Sequence, residues 1–595
     1  MKAKWFVKNI KGDFSDIAAH FNITPITARL LVNRHLKSVG EINEYINADK
    51  SELTDPSLLI DLTKAVNIIK NKIDEKKKIR IIGDYDVDGV CSTFILLDGL
   101  KNAGGIVDYD IPDRVADGYG LNKRLVEKAI SENIDTIITC DNGIAAFEEI
   151  KFAKENGLTV ILTDHHDIPT DGKIPPADTV TDPKIVGSEY PYNNICGAVV
   201  AFNLIRLYYK LFGINIDAEN EYLPFAALAT ICDVMDLVDE NRRIVKQGLP
   251  LIKKSENTGF IALLAATGLS AKTGPVSVYD CGFILGPCIN ACGRLENANI
   301  AMALFLAESM DEAKTIAEKM RDLNEERKAD TEEGFNRASE IADSEEYIQD
   351  KVLVLYVKDC SESIVGIVAG RIKEKYNKPT IILTNAESGI KGSGRSIEAY
   401  NMFLELSKCK DLFSKFGGHP MAAGLSIVGD TLKEQEENLM ELRTRLNANT
   451  TLTEEDLMPK IRFDMELPFI YVSEKLINEW NILEPFGAGN DKPMFAKRSV
   501  TLKSLRVLGK NRNAVKMNLC DGGEIIYEGI HFGQADDFLD ELREKFGDGI
   551  IDTLLEQNGR IGDFANPLKM DIIYYPSINE YRDIRTIQFV IEYIR

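Results

Sequence analysis

Short apolar runs separated by amphipathic stretches dominate the chain between Ile79 and about residue 205. Ile79-Arg80-Ile81-Ile82, Thr136-Ile137-Ile138-Thr139-Cys140 and Thr159-Val160-Ile161-Leu162-Thr163 have the length and branching of buried strands, while Val90 to Leu100 and Leu125 to Asn133 carry a helical period. This alternation predicts a doubly wound α/β unit with a parallel sheet. The first 75 or so residues read as small helices, with Thr24 capping a helix that starts at Pro25 and shows the apolar stripe Ile26, Leu30, Leu31. They are expected to cap the parallel-sheet unit. Residues 221 to 305 read as mainly helical, and the charged, alanine-rich, proline-free stretch from Met310 to about Ser344 predicts one long helix of roughly 50 Å joining two lobes.

A second α/β unit opens at Val352-Leu353-Val354-Leu355-Tyr356, continues through Thr380-Ile381-Ile382-Leu383 and closes near residue 447, before the polar linker Asn447-Ala448-Asn449-Thr450-Thr451. The remaining apolar segments, Val500 to Leu508, Ala514 to Leu519, Ile525 to Phe532 and Lys569 to Tyr575, predict a small β-barrel. The expected division is therefore a helical cap at 1–75, a parallel-sheet domain at 76–305, a connector helix at 306–347, a second α/β domain at 348–447 and a barrel at 455–595.

Composition narrows the picture. With 44% hydrophobic residues among 595, the chain can fill several cores, and it reads as a soluble globular protein. A net charge of −22 means that any nucleic-acid partner must be held by a local basic groove rather than by the whole surface. The ten cysteines form no C-x-x-C pair, and the spacing of Cys281, Cys288 and Cys292 fits no familiar zinc site, so reduced thiols in the cytoplasm are expected. Neither a signal-peptide core nor a membrane span is read, and no membrane partner is expected.

The chemistry lies at the ends of the apolar runs. Asp84-Tyr85-Asp86-Val87-Asp88-Gly89 follows the first, Asp141 the second and Asp164-His165-His166 the third. Ligands of open parallel sheets collect beyond the carboxyl ends of the strands, and acids converging there repel one another unless cations neutralise them. Two cations about 4 Å apart could activate water and clamp an in-line phosphoryl displacement. Asp84 and Asp86 can serve one ion each, Asp141 can bridge, His165 can supply the nitrogen ligand, and Asp233, at the end of an apolar helix, is the further carboxylate. This mixed N/O set favours Mn²⁺, with Mg²⁺ or Co²⁺ as alternatives.

In these residues the sequence resembles the DHH phosphoesterase superfamily, and more closely its RecJ single-strand-specific exonucleases. Asp84 to Gly89 is similar to the first family motif, Asp141-Asn142-Gly143 to the second and Asp164-His165-His166 to the third, with Asp233 at the fourth. The resemblance implies that Asp84, Asp86, Asp141, His165 and Asp233 bind two divalent cations and that His166 faces the scissile phosphate. Asp113-Arg114 before Asp117-Gly118-Tyr119-Gly120, and Asn290-Ala291-Cys292-Gly293-Arg294, look like family blocks with phosphate-facing arginines. Arg294 would stabilise charge on the transferred phosphate.

Gly392-Ser393-Gly394-Arg395-Ser396 and the run from Gly417 to Gly424 resemble the DHH-associated domain. By that resemblance Arg114, Ser393 and Arg395 would hold the 5′ phosphate, with His419 lining the same cleft. Where many relatives carry a Trp-His pair before the Val-Ile-Gly-Ile-Val-Ala helix, this chain has Cys360-Ser361. Leu483 to Asn490 looks like the block opening the RecJ OB-fold domain, a class of barrel that binds single strands through basic and aromatic side chains. Lys503, Arg506, Lys510, Arg512 and Lys516 make that region basic, and Phe532, Tyr574 and Tyr575 are either stacking platforms or barrel core.

The expected fold class is thus α/β: a parallel-sheet DHH domain and a DHH-associated domain joined by a long helix, with a C-terminal OB-fold. The expected activity is 5′→3′ exonucleolytic hydrolysis of single-stranded DNA to 5′ mononucleotides in repair and recombination, by a monomer working with a helicase and a single-strand-binding protein. A phosphodiesterase for short oligonucleotides or cyclic dinucleotides, and a non-catalytic single-strand-binding scaffold, are the alternatives.

Overall fold

The computed structural model describes residues 3–114, 120–169, 171–561, 567–581 and 584–595. The chain divides into two units, one of residues 47–453 with 487–489, the other of residues up to 46 with 454–486 and 490–595.

The larger unit begins with the parallel sheet. Strands β1 (Lys78–Ile82), β2 (Ile106–Asp110), β3 (Thr136–Thr139), β4 (Thr159–Thr163) and β5 (Thr179–Thr181) are all parallel, in the order β2-β1-β3-β4-β5. Alternation along the strands feeds two cores. Ile79, Ile81, Ile138 and Ile161 pack on one face with helices α1 (Val87–Asn102) and α2 (Gly197–Phe212), whereas Ile82, Ile137, Val160 and Leu162 pack on the other with Leu125, Val126 and Ile150. Helix α1 is buried on nearly every side, as a helix without a polar face must be. The register pairs Ile82 with Thr139, Thr139 with Leu162, and Thr163 with Thr181, so the carboxyl ends of four strands open on one edge.

Helices α3 (Ala218–Cys232) and α4 (Gly286–Leu295) extend the first core. Helix α5 (Met310–Ala342) is the long connector, 33 residues and therefore about 50 Å. Its early residues Ala313, Ala317, Met320 and Leu323 are buried in the first core, and its late residues Ala338 and Ala342 in that of the second lobe, so one rigid element belongs to both. The second lobe is a mixed sheet of β6 (Leu353–Tyr356), β7 (Thr380–Ala386), β8 (Gly389–Arg395), β9 (Phe413–His419) and β10 (Ala422–Ile427), in the order β9-β10-β8-β7-β6. Helix α6 (Val365–Tyr376) buries Val368, Ala369 and Ile372 beside the end of α5.

In the smaller unit, strands β11 (Phe495–Leu508), β12 (Ala514–Cys520), β13 (Ile526–Phe532), β14 (Leu568–Tyr581) and β15 (Ile584–Ile594) pair in the ring β11-β12-β13-β15-β14-β11. Closure removes the sheet edges and makes the expected barrel, with β15 as a fifth strand beyond the four segments singled out in the sequence. Its core holds Phe469, Trp480, Phe495, Tyr574 and Phe589.

The N-terminal helices depart from the expectation that residues 1–75 cap the parallel-sheet lobe. Up to Ile46 they belong to the barrel unit: Lys4–Val7 pairs in parallel with Lys460–Phe463, Leu30 and Leu31 share the barrel core, and the Tyr45 hydroxyl donates to the Leu483 carbonyl at 2.9 Å. Only residues from Asn47 onward join the parallel-sheet unit. Among the described residues no helix is long and apolar enough to cross a membrane, and all ten cysteines are free thiols.

Candidate functional site

The chain leaves β1 at Ile82 and places Asp84 and Asp86 before α1, whose N-cap is Asp86: its carboxylate accepts the Gly89 N–H at 3.0 Å. Asp141 follows β3 in the left-handed region at φ 60°. His165 follows β4, and Asp233 caps the carboxyl end of α3. Strand register and one helix end therefore converge these side chains. Asp84, Asp86 and Asp141 form one group with ligand atoms within 4.8 Å of one another, and Asp141, His165 and His166 form another, which gives Asp141 the shared position. His165 Nε2 lies 3.0 Å from Asp141 and 3.8 Å from Asp233.

Asp88 is a member that the pattern of strand tips did not single out as a ligand. It groups with His165 and Asp233, 3.5 Å from His165 Nε2, and its two oxygens accept the N–H groups of Gly197 and Ala198 at 2.7 Å each. The alternation Asp84, Asp86, Asp88 in one hexapeptide was the available signal, but its partner, the amino end of α2, is more than 100 residues away.

The electrostatics are those of a cation site. Burial, and then the charge of Asp86, push the Asp84 carboxyl well above the usual range; burial and then Asp88 raise Asp86 as well. Asp141 is raised well above its ordinary value by burial and by Asp88, Asp86 and Asp84, and Asp233 is raised to about 8 by burial with Asp88 and Asp86. Both buried oxygens of Asp84 lack a well-formed hydrogen bond among the described residues. Burial lowers the pKa of His165, which keeps the imidazole neutral and able to donate a lone pair. Acids that repel one another, an oxygen pair with no well-formed hydrogen bond among the described residues and a neutral imidazole together fit divalent cations.

His166 is held differently. Its Nδ1 is 2.8 Å from Asp164, whose carboxylate also accepts the N–H groups of Ile144 and His165 at 2.8 and 2.7 Å. Burial opposes the imidazolium, but the Asp164 hydrogen bond and the charges of Asp164, Asp233 and Asp88 outweigh it and raise the pKa to about 9. With 43% of its side chain exposed, His166 can present a positive ring to an anion.

Beside these acids, within the same unit, lies a cavity of about 900 Å³ whose lining includes Tyr85, Arg114, Arg294, Ser393 and Arg395. Arg294 donates from Nη1 to the Ser363 carbonyl at 2.7 Å, which ties α4 to the segment before α6. Arg395 donates to Ser393 Oγ and to the Gly394 carbonyl, both at 2.8 Å. Burial, then neighbouring arginines, depress Arg294 to about 10. Desolvated cations crowded together, like the acids next door, await a compensating charge, here an anion.

The glycine-rich run from Gly417 to Gly424 is a β9–β10 hairpin; Gly417 and Gly424 face each other across it and line the cavity. His419 pairs with Ala422 near the hairpin end, where its side chain is exposed, and it is not among the cavity's lining residues. Cys360 is buried, and the Ser361 hydroxyl lies 3.0 Å from that of Ser363, so Glu362 and Ser363 line the cavity in this segment. Asp117, Gly118 and Tyr119 lie outside the described residues.

A parallel sheet with a carboxylate–histidine cluster at its tips, beside an arginine-lined cavity shared with a second α/β lobe, defines a two-lobed phosphoesterase of the DHH class. The model of the DHH family, N-terminal domain, matches residues 78–230, the DHHA1 domain 349–450 and the RecJ OB domain 463–593. The single-stranded-DNA-specific exonuclease RecJ of Bacillus subtilis is 35% identical over 523 residues, covering 87% of this chain and 64% of that protein. The RecJ of Haemophilus influenzae is 32% identical over 595 residues, covering 96% of each. The crystal structure of RecJ in complex with Mn²⁺ from Thermus thermophilus superposes with a TM-score of 0.80 at 26% identity, covering 100% of this chain and 79% of that one. The chain belongs to the RecJ family.

Proposed function

We propose that the chain is a metal-dependent 5′→3′ exonuclease that acts on single-stranded DNA and releases 5′ mononucleotides. The observation that carries this reading is the adjacency, in one unit, of the acidic cluster around Asp141 and the cavity lined by Arg114, Arg294 and Arg395. Asp84, Asp86, Asp141, His165 and Asp233 would hold two divalent cations, Mn²⁺ foremost, as the Mn²⁺ complex of the Thermus relative supports. When bound, such cations supply Lewis acidity for an in-line phosphoryl displacement.

The chain's own residues do the rest. Arg114, Ser393 and Arg395 take the terminal phosphate, which seats the first phosphodiester beside the acids and so fixes polarity. Arg294 and His166 present positive charge to the transferred phosphate. A closed barrel with exposed basic and aromatic residues supports extended strands as substrate rather than dinucleotides. A monomer in the cytoplasm, receiving single strands from a helicase and sharing them with a single-strand-binding protein, completes the proposal.

The test compares Mn²⁺-dependent digestion of one long strand labelled at its 5′ end, the same strand labelled at its 3′ end, and a labelled dinucleotide. Early release of 5′ label as mononucleotide, late loss of 3′ label and poor use of the dinucleotide are expected. Preferred cleavage of the dinucleotide would move the chain to the small-substrate branch. Asp141→Ala should abolish release while leaving strand binding largely intact.

A further inference from the structure

Tyr85 stands between the two charged halves of the site. It is flanked in sequence by Asp84 and Asp86, in the bend between β1 and α1. Asp84 and Asp86 join the acidic cluster while Tyr85 lines the arginine cavity, with its ring under the Arg114 guanidinium. One tripeptide thus serves both halves.

On the cavity side, the Arg114 guanidinium lies over the Tyr85 ring, 5.0 Å from its centroid. The turn into Arg294 packs on the same residue, since a Cβ at Gly293 would stand 2.8 Å from the Tyr85 carbonyl oxygen. Arg294 is itself tied to Ser363. Arg395 is braced by Ser393 and its own strand. Of the three arginines, Arg114 is the one whose contact in the cavity is an aromatic face.

We propose that Tyr85 is a positioning residue that fixes the reach of Arg114 into the cavity and thereby sets the preference for 5′-phosphorylated over 5′-hydroxyl ends. The inference rests on the exonuclease reading above. A cation over an aromatic face is attracted to the ring and needs no hydroxyl, so phenylalanine should serve where an aliphatic residue should not.

The experiment measures kcat and KM for wild type, Tyr85→Phe, Tyr85→Leu, Arg114→Ala and the Tyr85→Leu/Arg114→Ala double variant. The substrates are one single strand bearing either a 5′ phosphate or a 5′ hydroxyl. Tyr85→Leu should lose about 5- to 20-fold of the phosphate preference, mainly through KM on the phosphorylated strand, while Tyr85→Phe stays within about twofold of wild type. In the double variant, Tyr85→Leu should take no further preference away, because its effect runs through Arg114. Tyr85→Met replaces Tyr85→Leu if the latter does not fold.

A Tyr85→Leu enzyme with the wild-type preference, equal losses in Tyr85→Phe and Tyr85→Leu, or additive losses in the double variant would overturn the proposal. So would a wild-type enzyme that digests both ends equally. Absence of mononucleotide release by wild type itself would instead refute the exonuclease reading, which keeps the two failures apart.

Discussion

Gly197 and Asp141 touch so closely that a Cβ on Gly197 would stand 2.7 Å from the Asp141 Cβ and 2.9 Å from its Cα. Asp88 draws the two together by accepting the Gly197 and Ala198 N–H groups, so the amino end of α2 is pressed against the loop that carries the shared acid. Gly197→Ala should therefore displace Asp141 although no candidate metal ligand is itself substituted. A shift of this kind costs on the order of 100-fold in kcat. Mn²⁺ titrations of hydrolysis should reach half-maximal rate at a higher Mn²⁺ concentration, while fluorescence anisotropy with a labelled strand should show affinity close to wild type.

The raised carboxyls make the metal-free protein sensitive to pH in a definite direction. An acid whose folded pKa lies above its unfolded value favours the folded state at low pH, and that advantage is lost as pH rises through the folded pKa. Asp233 is raised to about 8, and Asp84, Asp86 and Asp141 are raised as well, so in EDTA stability should fall as pH rises from about 4 to 8. Cations bind the ionised acids, so the Tm increment on adding Mn²⁺ should grow over the same interval. Asp233→Asn should flatten the EDTA profile by about 1–3 °C between pH 6 and 8 in scanning fluorimetry. A profile as steep as wild type would show that Asp233 is already ionised without metal.

Much of this site was legible because apolar runs that end in Asp are local patterns: Asp84, Asp141 and His165 each sit at the tip of a strand readable from its own residues. Asp233 was legible in the same way at the end of an apolar helix. What stayed hidden depends on partners far along the chain. The pattern of Leu30 and Leu31 says that a face is buried, but nothing local says that the barrel core, more than 400 residues on, covers it. Asp88 reads as an ordinary first-turn acid until α2 arrives. The run around His419 reads as a phosphate cradle, whereas antiparallel pairing leaves His419 near the end of a hairpin.

The barrel separates two aromatics that sequence left open. Tyr574 is core: it is fully buried, and its hydroxyl donates to the Leu467 carbonyl at 2.6 Å. Tyr574→Phe should cost about 1 kcal/mol of stability and leave strand affinity unchanged. Phe532, by contrast, is 57% exposed at the end of β13, and Phe532→Ala should leave Tm within about 1 °C while weakening single-strand binding roughly 5- to 10-fold. Equilibrium binding with the barrel intact in the full chain measures both. Loss of affinity in Tyr574→Phe, with none in Phe532→Ala, would reverse the assignment.

The basic residues near the barrel can be ranked in the same way. Lys516 is paired with Glu528 at 2.7 Å and Arg512 with Asp536 at 2.6 Å, whereas Arg506 is exposed and has no ion pair among the described residues. A cation already neutralised by a carboxylate releases fewer counterions when it meets a phosphate. Arg506→Ala should thus reduce the slope of log affinity against log salt by about 0.7, the single-strand value for one phosphate contact, and Lys516→Ala by less. Equal slopes in the two variants would count against the ranking.

Arg395 owes its place to a missing side chain on the neighbouring helix. A Cβ on Gly366 would stand 2.8 Å from Arg395 Nη2 and 3.2 Å from Ser393 Oγ. Gly366 lies in the first turn of α6, at ordinary helical geometry, so Gly366→Ala should fold, and helix propensity alone would favour it. The guanidinium must then swing away from Ser393, with which it shares a 2.8 Å hydrogen bond. A forked contact to a phosphate tolerates little misalignment. KM for a 5′-phosphorylated strand should rise about tenfold with Tm unchanged or slightly higher, and KM for the 5′-hydroxyl strand should move by less than about twofold. An equal rise for both strands would mean that Gly366 shapes the cavity as a whole and not the grip of Arg395 on the terminal phosphate.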